Sequence, residues 1–374
     1  MERTYWRRAA IRRDEEDGLH RPVGWLELFF DLVFVVVIGI LAEDLAHDPH
    51  HLAGFALQFA AVFWVWNAFT YYTERFETDG LENRFFTFLA LLTVAGLAIW
   101  APHGVDAGFA GAYLAARGLN IALWLRAALH ERSFRPIALR FAVGYLLATG
   151  LIVASLTTDN DALFAAAVLV EIVTPAFTTK QQSVLPPLSR SKWPERFGLF
   201  TMIVLGEAVV GVIHGLDEAE KNLTAGALGL AICFAFWWLY FDFVARRPAR
   251  QAIATALGWV YLHLLALLAI TVAGAMITVA LTGHDVPGLL FVGVGAALAT
   301  IGVLELTLER DPDEPTHPVL SPALKIGLGA ALAAVALLPV HWEATAALLT
   351  CLAVLTVPAA YGAHVWYRRA APPR

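Results

Sequence analysis

The sequence has little charge and little cysteine for its length. Only 16% of its 374 residues are Asp, Glu, Lys or Arg, whereas 59% are hydrophobic. A water-soluble domain of this size exposes too much surface to be so poor in charge. The two cysteines, Cys233 and Cys351, lie inside apolar runs. The sequence therefore predicts neither a disulfide framework nor a cysteine metal site.

Several motifs of known chemistry are also missing from the sequence. There is no GxxxxGK[ST] phosphate loop, which argues against an ATP-driven pump in this chain. There is no HExxH zinc motif and no GxSxG nucleophile motif. No basic patch with interleaved aromatic residues indicates nucleic-acid binding. We therefore expect no cofactor, no metal and no nucleic-acid partner.

Long apolar runs make up most of the chain. A helix needs about 20 residues to cross about 30 Å of hydrocarbon. Hydropathy predicts twelve spans, at 24–45, 52–73, 84–101, 105–128, 136–156, 162–180, 197–215, 223–245, 252–281, 287–308, 320–339 and 343–366. The segments between them are short, so the sequence predicts an all-α polytopic membrane protein without a soluble domain.

The placement of basic residues predicts an orientation for these spans. When the N-terminus is put in the cytoplasm, all but two of the 26 Lys and Arg residues fall in the cytoplasmic arm, loops or tail. The two exceptions are Lys221, on the outer side, and Arg117, inside a span. We therefore predict a multi-pass protein of a bacterial inner membrane, with both termini in the cytoplasm.

Internal similarity divides the sequence into two halves. Phe63 and Trp66 in the second span match Phe234 and Trp237 in the eighth span. Because six is an even number, two six-helix repeats share one orientation and are related by an axis along the membrane normal. We predict a cytoplasmic arm over 1–23, repeats over 24–180 and 196–366, a cytoplasmic linker over 181–195 and a tail over 367–374.

Four polar residues are predicted to lie at the same depth in the membrane. Arg117, Glu171, Glu207 and His263 each lie about 16 Å into a span at a rise of 1.5 Å per residue, close to the midplane. A charge at that depth costs about 2.5 to 3.5 kcal/mol, so Arg117 should pair with Glu171 or Glu207. These four form a candidate transport site. A structural ion pair that locks helices together is the alternative.

A second polar layer is predicted in the cytoplasmic third of the spans. Asp31 and Asn67 would lie at the cytoplasmic end of the candidate site. Glu27 is four residues from Asp31 and therefore shares its helix face. Because Glu27 is close to the interface, we expect it to reach water. Asp242 and Glu305 are near helix ends and are also expected to be solvated, so Glu27, Asp242 and Glu305 are secondary candidates.

Four segments carry a resemblance to a known family. They are Gly24–Val37 (GWLELFFDLVFVVV), Arg196–Glu207 (RFGLFTMIVLGE), Trp237–Asp242 (WWLYFD) and Tyr261–Leu264 (YLHL). In this order they resemble the pattern of the bacterial low-temperature-requirement A family. The resemblance implies a multi-pass membrane protein of a family named for a cold-growth phenotype, and it implies no particular biochemical activity.

The first helix of each half is also similar to a motif of another family. Lysosomal and bacterial potassium channels with six-plus-six helices have R-x-x-x-F-S-D at the start of the first helix of each repeat. Phe29 and Asp31 match this motif in the first half, with tryptophan in place of arginine. Arg196, Phe200 and Thr201 match it in the second half, with methionine in place of aspartate. The similarity implies an ion channel, and these departures put a potassium-selective pore in doubt.

These observations favour a transporter or channel for an ion or small solute, with a polar site between the two repeats. One alternative is a membrane-embedded enzyme that acts on lipid or a lipid-linked substrate, with Glu207 and His263 as acid and base. Another is a non-transporting scaffold or stress sensor. Since no catalytic motif is present, we do not expect enzymatic activity. The expected partners are membrane lipid and the solute, and the sequence leaves homo-oligomerisation open.

Overall fold

A computed structural model describes residues 6–13, 22–76, 78, 80–218, 222–250, 252–282, 286, 288–310 and 313–370. This part of the chain contains thirteen α-helices. It has no β-strand, only a single bridge between Ala249 and Leu308. The helices are α1 (Trp25–His47), α2 (Leu52–Phe76), α3 (Leu81–Trp100), α4 (Ala107–His130), α5 (Arg135–Thr158), α6 (Asp161–Val173), α7 (Thr179–Gln182), α8 (Lys192–Glu218), α9 (Leu223–Tyr240), α10 (Ile253–Leu281), α11 (Leu289–Leu306), α12 (Leu320–Val335) and α13 (Ala344–Ala370).

Ten helical segments in the described residues are long and apolar enough to cross a membrane. One of them, Asp161–Gln182, joins α6 to α7 through a 3₁₀ turn. The two remaining predicted spans correspond to α4 and α12. Helix α4 carries Arg117, Asn120 and Arg126, which lower its hydropathy, and α12 has only 16 residues. The prediction of an all-α polytopic membrane protein is confirmed.

The outer faces of the helices are apolar. Along α5, the side chains of Leu139, Val143, Leu146 and Leu147 are each more than half exposed. An apolar stripe of this length is unfavourable in water and is favourable against lipid chains. Helix α5 therefore presents this face to the hydrocarbon core of the membrane.

The described residues form two compact units. The first unit comprises Met1–Leu41, Ala53–Leu199 and Gln251–Leu257. Within it, α2 and α4 run in the same direction. Near the start of α2, the Gln58 side chain donates hydrogen bonds to the carbonyls of Ala101 and Gly104, just before α4 begins. Near the end of α2, the Tyr72 ring packs on Trp124, close to the end of α4.

The N-terminal segment 6–13 is attached to the first unit. The Arg7 amide donates a hydrogen bond of 2.9 Å to the Glu82 carboxylate at the start of α3. The Arg12 amide donates to the Arg75 carbonyl at the end of α2. The Trp6 ring packs against two phenylalanines of α3. The described part of the arm is therefore held by specific contacts at the ends of these helices.

The second unit comprises Ala42–Leu52, Phe200–Arg250 and Gly258–Arg374. Its closest helix pair is α11 with α12, which meet at two glycines. A Cβ atom on Gly295 would lie 2.4 Å from the carbonyl oxygen of Gly329, and the reverse contact is equally short. Small residues at a membrane helix interface allow the two backbones to approach closely. Both positions therefore require glycine.

We expect Gly295→Ala to destabilise the protein by about 1–3 kcal/mol, because the added methyl group would force these two backbones apart. Gly327→Ala is a matched control on α12, since a Cβ atom there meets no other atom within 4 Å. The free energy of unfolding, measured by denaturant titration in mixed micelles, checks this prediction. Equal stability of the two variants would contradict the close packing of α11 on α12.

Candidate functional site

Three helices each offer a polar face to one buried cluster in the first unit. Glu27 and Asp31 are four residues apart on α1, and Lys192 and Arg196 are four residues apart at the start of α8. Residues at this spacing lie on the same side of a helix. The two carboxylates of α1 therefore meet the two cations of α8 as a set. We call Glu27, Asp31, Lys192 and Arg196 the ion cluster.

Arg196 is the central residue of the ion cluster. Its Nε and Nη2 atoms donate to the two carboxylate oxygens of Asp31, at 3.2 and 2.5 Å. Its Nη1 atom donates to Glu27 at 3.0 Å. The other Glu27 oxygen is 2.8 Å from the Lys192 ammonium. The two negative and two positive charges balance, which buried charges require.

Helix α2 supplies the remaining hydrogen bonds of the ion cluster. The indole of Trp66 donates to Asp31 at 2.7 Å. Arg196 also donates to the hydroxyls of Thr70 and Thr73, each at 3.2 Å. These three α2 residues share one helix face. A buried ion pair is stable only when such additional hydrogen bonds satisfy its remaining donors and acceptors.

The expectation that Glu27 reaches water is wrong. Its side chain is 4% exposed because Lys192 and Arg196 compensate its charge. The distribution of basic residues places Lys192 and Arg196 on the cytoplasmic side of the membrane, and it indicates no partner on α1 for either of them. The repeated spacing of four residues on α1 and α8 was the signal that could have identified the pair.

Another ion pair in the first unit is fully buried. Arg117 of α4 binds Glu171 of α6 with 2.7 Å between Nε and Oε2. Tyr113, one turn before Arg117, accepts a hydrogen bond from Arg117 at 2.8 Å and donates one to Glu171 at 2.5 Å. All three residues are fully buried. Of the two acidic partners predicted for Arg117, Glu171 is the one found.

His263 lies in a hydrogen-bonded chain of the second unit. Its Nδ1 atom is 2.8 Å from the Trp259 carbonyl, and its Nε2 atom is 2.9 Å from the Tyr240 hydroxyl. Because a carbonyl can only accept, Nδ1 carries the proton, and Tyr240 donates to Nε2. Tyr240 is also hydrogen-bonded to Thr201. Three of the segments that carry the family resemblance meet here, one each from α8, α9 and α10.

We expect Tyr240→Phe to lower the free energy of unfolding by about 1–2 kcal/mol, because it leaves the buried Nε2 atom of His263 without its donor. Tyr367→Phe serves as the control, since Tyr367 is 78% exposed on α13. Thermal unfolding of the two purified variants compares them directly. An equal loss of stability in both variants would show that the hydrogen bond from Tyr240 to His263 does not stabilise the protein.

The other predicted residues of the second unit are separate from this chain of hydrogen bonds. Glu207 on α8 is half-buried, and the charges that act on it are those of His214 and Glu43. Asp242 lies in a single π-helical turn after α9 and is partly exposed, as expected. Its carboxylate is 3.6 Å from Arg246, one turn further along the chain.

Glu305 was expected to be solvated, and this is wrong. It is 6% exposed and lies between two cations, at 3.1 Å from Arg247 and 2.9 Å from Lys325. The Lys325 ammonium also lies 3.5 Å from the centre of the Phe243 ring. Glu305 is buried near the end of α11 because Arg247 and Lys325 both pair with it.

A pocket reaches the ion cluster from the side of α3. Its empty volume, which includes space open to the outside, is about 290 Å³. Two charged residues of the cluster, Glu27 and Arg196, form part of its wall. We call it the Thr87 pocket, and it is lined by Leu26, Glu27, Phe30, Phe69, Thr73, Asn83, Thr87 and Arg196. A second pocket shares four of these residues, Phe69, Thr73, Asn83 and Thr87, and extends to Arg126 on α4.

The fold and these clusters define a multi-pass α-helical membrane protein with buried, mutually compensated charges. The family model described as bacterial low temperature requirement A protein matches residues 22–360. The chain belongs to this family, and the resemblance of its four segments is confirmed.

One curated relative is an uncharacterized protein of Rhizobium meliloti (strain 1021). It is 27% identical over 277 residues, which cover 68% of this chain and 65% of the relative. This chain therefore spans slightly less than two thirds of that relative's length. No solved structure matches this chain significantly.

Proposed function

We propose that this protein moves an ion or small solute across the membrane, and that the Thr87 pocket is part of the path. The observation that carries the proposal is that Glu27 and Arg196, which are buried and paired, also line a pocket. Charged residues inside a membrane protein are costly and usually face a water-filled cavity or the path of a solute. A purely structural ion pair needs no such access.

The polarity of the Thr87 pocket fits a small polar solute. Two hydroxyls and one amide, from Thr73, Thr87 and Asn83, line the pocket together with a carboxylate and a guanidinium. Phenylalanine and leucine side chains form the rest of the wall. A solute in this pocket would contact one negative charge, one positive charge and neutral hydrogen-bonding groups. Apolar side chains would surround these polar contacts. The predicted parallel repeat adds support, because such repeats are typical of secondary transporters.

The test is reconstitution of the purified protein in liposomes, with ion currents and proton flux recorded over a panel of cations. The pocket variant is Asn83→Ala/Thr87→Val. Thr93→Val is its matched control, because Thr93 makes the same kind of bond to a carbonyl of α3 and does not line the pocket. Loss of one or two hydrogen bonds to the solute, about 1–2 kcal/mol, corresponds to a flux decrease of roughly 5- to 30-fold.

Two further variants test the candidate transport residues of the two units independently. Asp31→Asn alters the ion cluster, and Glu207→Gln alters the half-buried carboxylate of the second unit. We expect Asp31→Asn to abolish flux, and Glu207→Gln tests the site predicted at the midplane. Unchanged flux in both variants and in the pocket variant would reject this path. No flux above empty liposomes would contradict transport of the tested ions, and a changed lipid composition on gene deletion would then favour a lipid-acting enzyme.

We also infer that the protein lies in the bacterial inner membrane with both termini in the cytoplasm. The support is the distribution of basic residues between alternate loops. Reporter fusions at the two termini and in the loop that contains Asp48 test this orientation. Reporters active in the cytoplasm at both termini, and on the outer side at the Asp48 loop, are the expected result.

A further inference from the structure

The buried hydrogen-bonding atoms without a partner among the described residues of the first unit include five atoms on four polar side chains of α2, α4 and α6. They are Arg117 Nη1, Asn120 Nδ2 and Oδ1, Asn67 Oδ1 and Glu171 Oε1. Arg117, Asn120 and Glu171 are completely buried, and Asn67 is 9% exposed. More than nine in ten buried polar groups in proteins have a hydrogen-bond partner. These five unpartnered atoms therefore require an explanation.

The packing of α2 against α4 places Asn67 and Asn120 at the same position along the two helix axes. The two helices are parallel, and the Tyr71 ring packs on Trp124 with 5.7 Å between ring centres. Asn67 lies one turn before Tyr71, and Asn120 lies one turn before Trp124. The two asparagines therefore occupy corresponding positions on neighbouring helices. Arg117 is three residues before Asn120, on the same face of α4.

The chemistry of the unpartnered atoms restricts what can satisfy them. Arg117 and Asn120 offer donors, whereas Asn120, Asn67 and Glu171 offer acceptors. The positive charge of Arg117 is already compensated by Glu171 at 2.7 Å. A free ion would therefore meet little net charge, while a neutral molecule with both donor and acceptor groups would satisfy all of these atoms.

We propose that Asn67, Arg117, Asn120 and Glu171 surround an internal site for neutral, water-sized hydrogen-bonding molecules, with water as the natural occupant. Buried waters typically make about three hydrogen bonds to polar groups that otherwise lack partners. This site is distinct from the Thr87 pocket, since none of its four residues lines that pocket.

X-ray hydroxyl-radical footprinting of the full-length protein in nanodiscs tests the site, because radicals form from bound water and modify the side chains beside it. The reporters are Tyr113 and Tyr145, whose rings lie 4.6 and 5.6 Å from the Arg117 guanidinium carbon. Tyr240 is the control, since it is equally buried and is hydrogen-bonded to His263 in the second unit, outside the proposed site. We expect both reporters to be modified faster than Tyr240, because bound water lies beside them. Equal rates would overturn the proposal.

The Asn120→Leu variant gives an independent test, because a dry site and a water-filled site predict opposite changes in the melting temperature. If the site were dry, removal of an unsatisfied amide would raise the thermal stability, because leucine has a similar volume and needs no hydrogen bond. If water occupies the site, the same change removes its partners, lowers the melting temperature and reduces labelling of both reporters to the rate of Tyr240. A higher melting temperature would overturn the proposal. If the variant does not fold, the comparison of tyrosines in the unmodified protein decides.

Discussion

Replacing Arg196 by glutamine will destabilise the protein by about 3–5 kcal/mol, because removal of one partner of a buried ion pair leaves an uncompensated charge. In this protein the loss affects two carboxylates, since Asp31 and Glu27 both bind Arg196. Lys192 can compensate only one of them. We expect little folded protein in detergent at 37 °C, as measured by fluorescence-detected size-exclusion chromatography.

A second substitution distinguishes loss of charge balance from loss of packing. The double variant Arg196→Gln/Asp31→Asn removes one charge of each sign, and it should recover more than half of the lost stability. Arg140→Gln is the control for arginine removal as such, because Arg140 is exposed on α5 and bonds only to a carbonyl of its own helix. A double variant as unstable as the single one would mean that charge compensation is not what stabilises the cluster.

Replacing Arg117 by leucine will also destabilise the protein by about 3–5 kcal/mol. The substitution leaves Glu171 fully buried and bonded only to the Tyr113 hydroxyl. Leucine can fill much of the volume of the arginine side chain, so the expected loss arises mainly from the carboxylate. Denaturant titration in mixed micelles measures it.

The matched double variant Arg117→Leu/Glu171→Leu removes both charges and should approach the stability of the unmodified protein, since well-packed apolar replacements of buried ion pairs are often neutral. Arg132→Leu, at an exposed position before α5, provides the control. A single Arg117→Leu variant as stable as this control would contradict the ion pair with Glu171.

The sequence predicts the fold class because lipid imposes a simple rule on length and hydropathy. A span must be about 20 apolar residues long, and this signal is local. The predicted second span at 52–73 and the ninth at 252–281 agree closely with α2 and α10. Arg117 was recognised as a buried charge that needs an acidic partner for the same reason. Depth alone, however, could not distinguish Glu171 from Glu207.

The remaining contacts depend on packing between distant segments, which hydropathy does not encode. Glu27 and Glu305 look solvated because each lies near the end of an apolar run. Both are buried because cations from other helices reach them, Arg196 in one case and Lys325 in the other. The hydrogen bond from Tyr240 to His263 joins two residues that sequence analysis could place only within separate helices.

The bond between Asp31 and Arg196 also has a consequence for how the chain is made. The two residues are 165 positions apart. At roughly 5–20 residues per second, α1 leaves the ribosome about 8 to 33 s before its cationic partner. During that interval the two carboxylates of α1 lack the cations of α8. The charges of α1 are therefore compensated only late in synthesis, and a chain truncated before α8 would carry two acidic residues without the cations of α8.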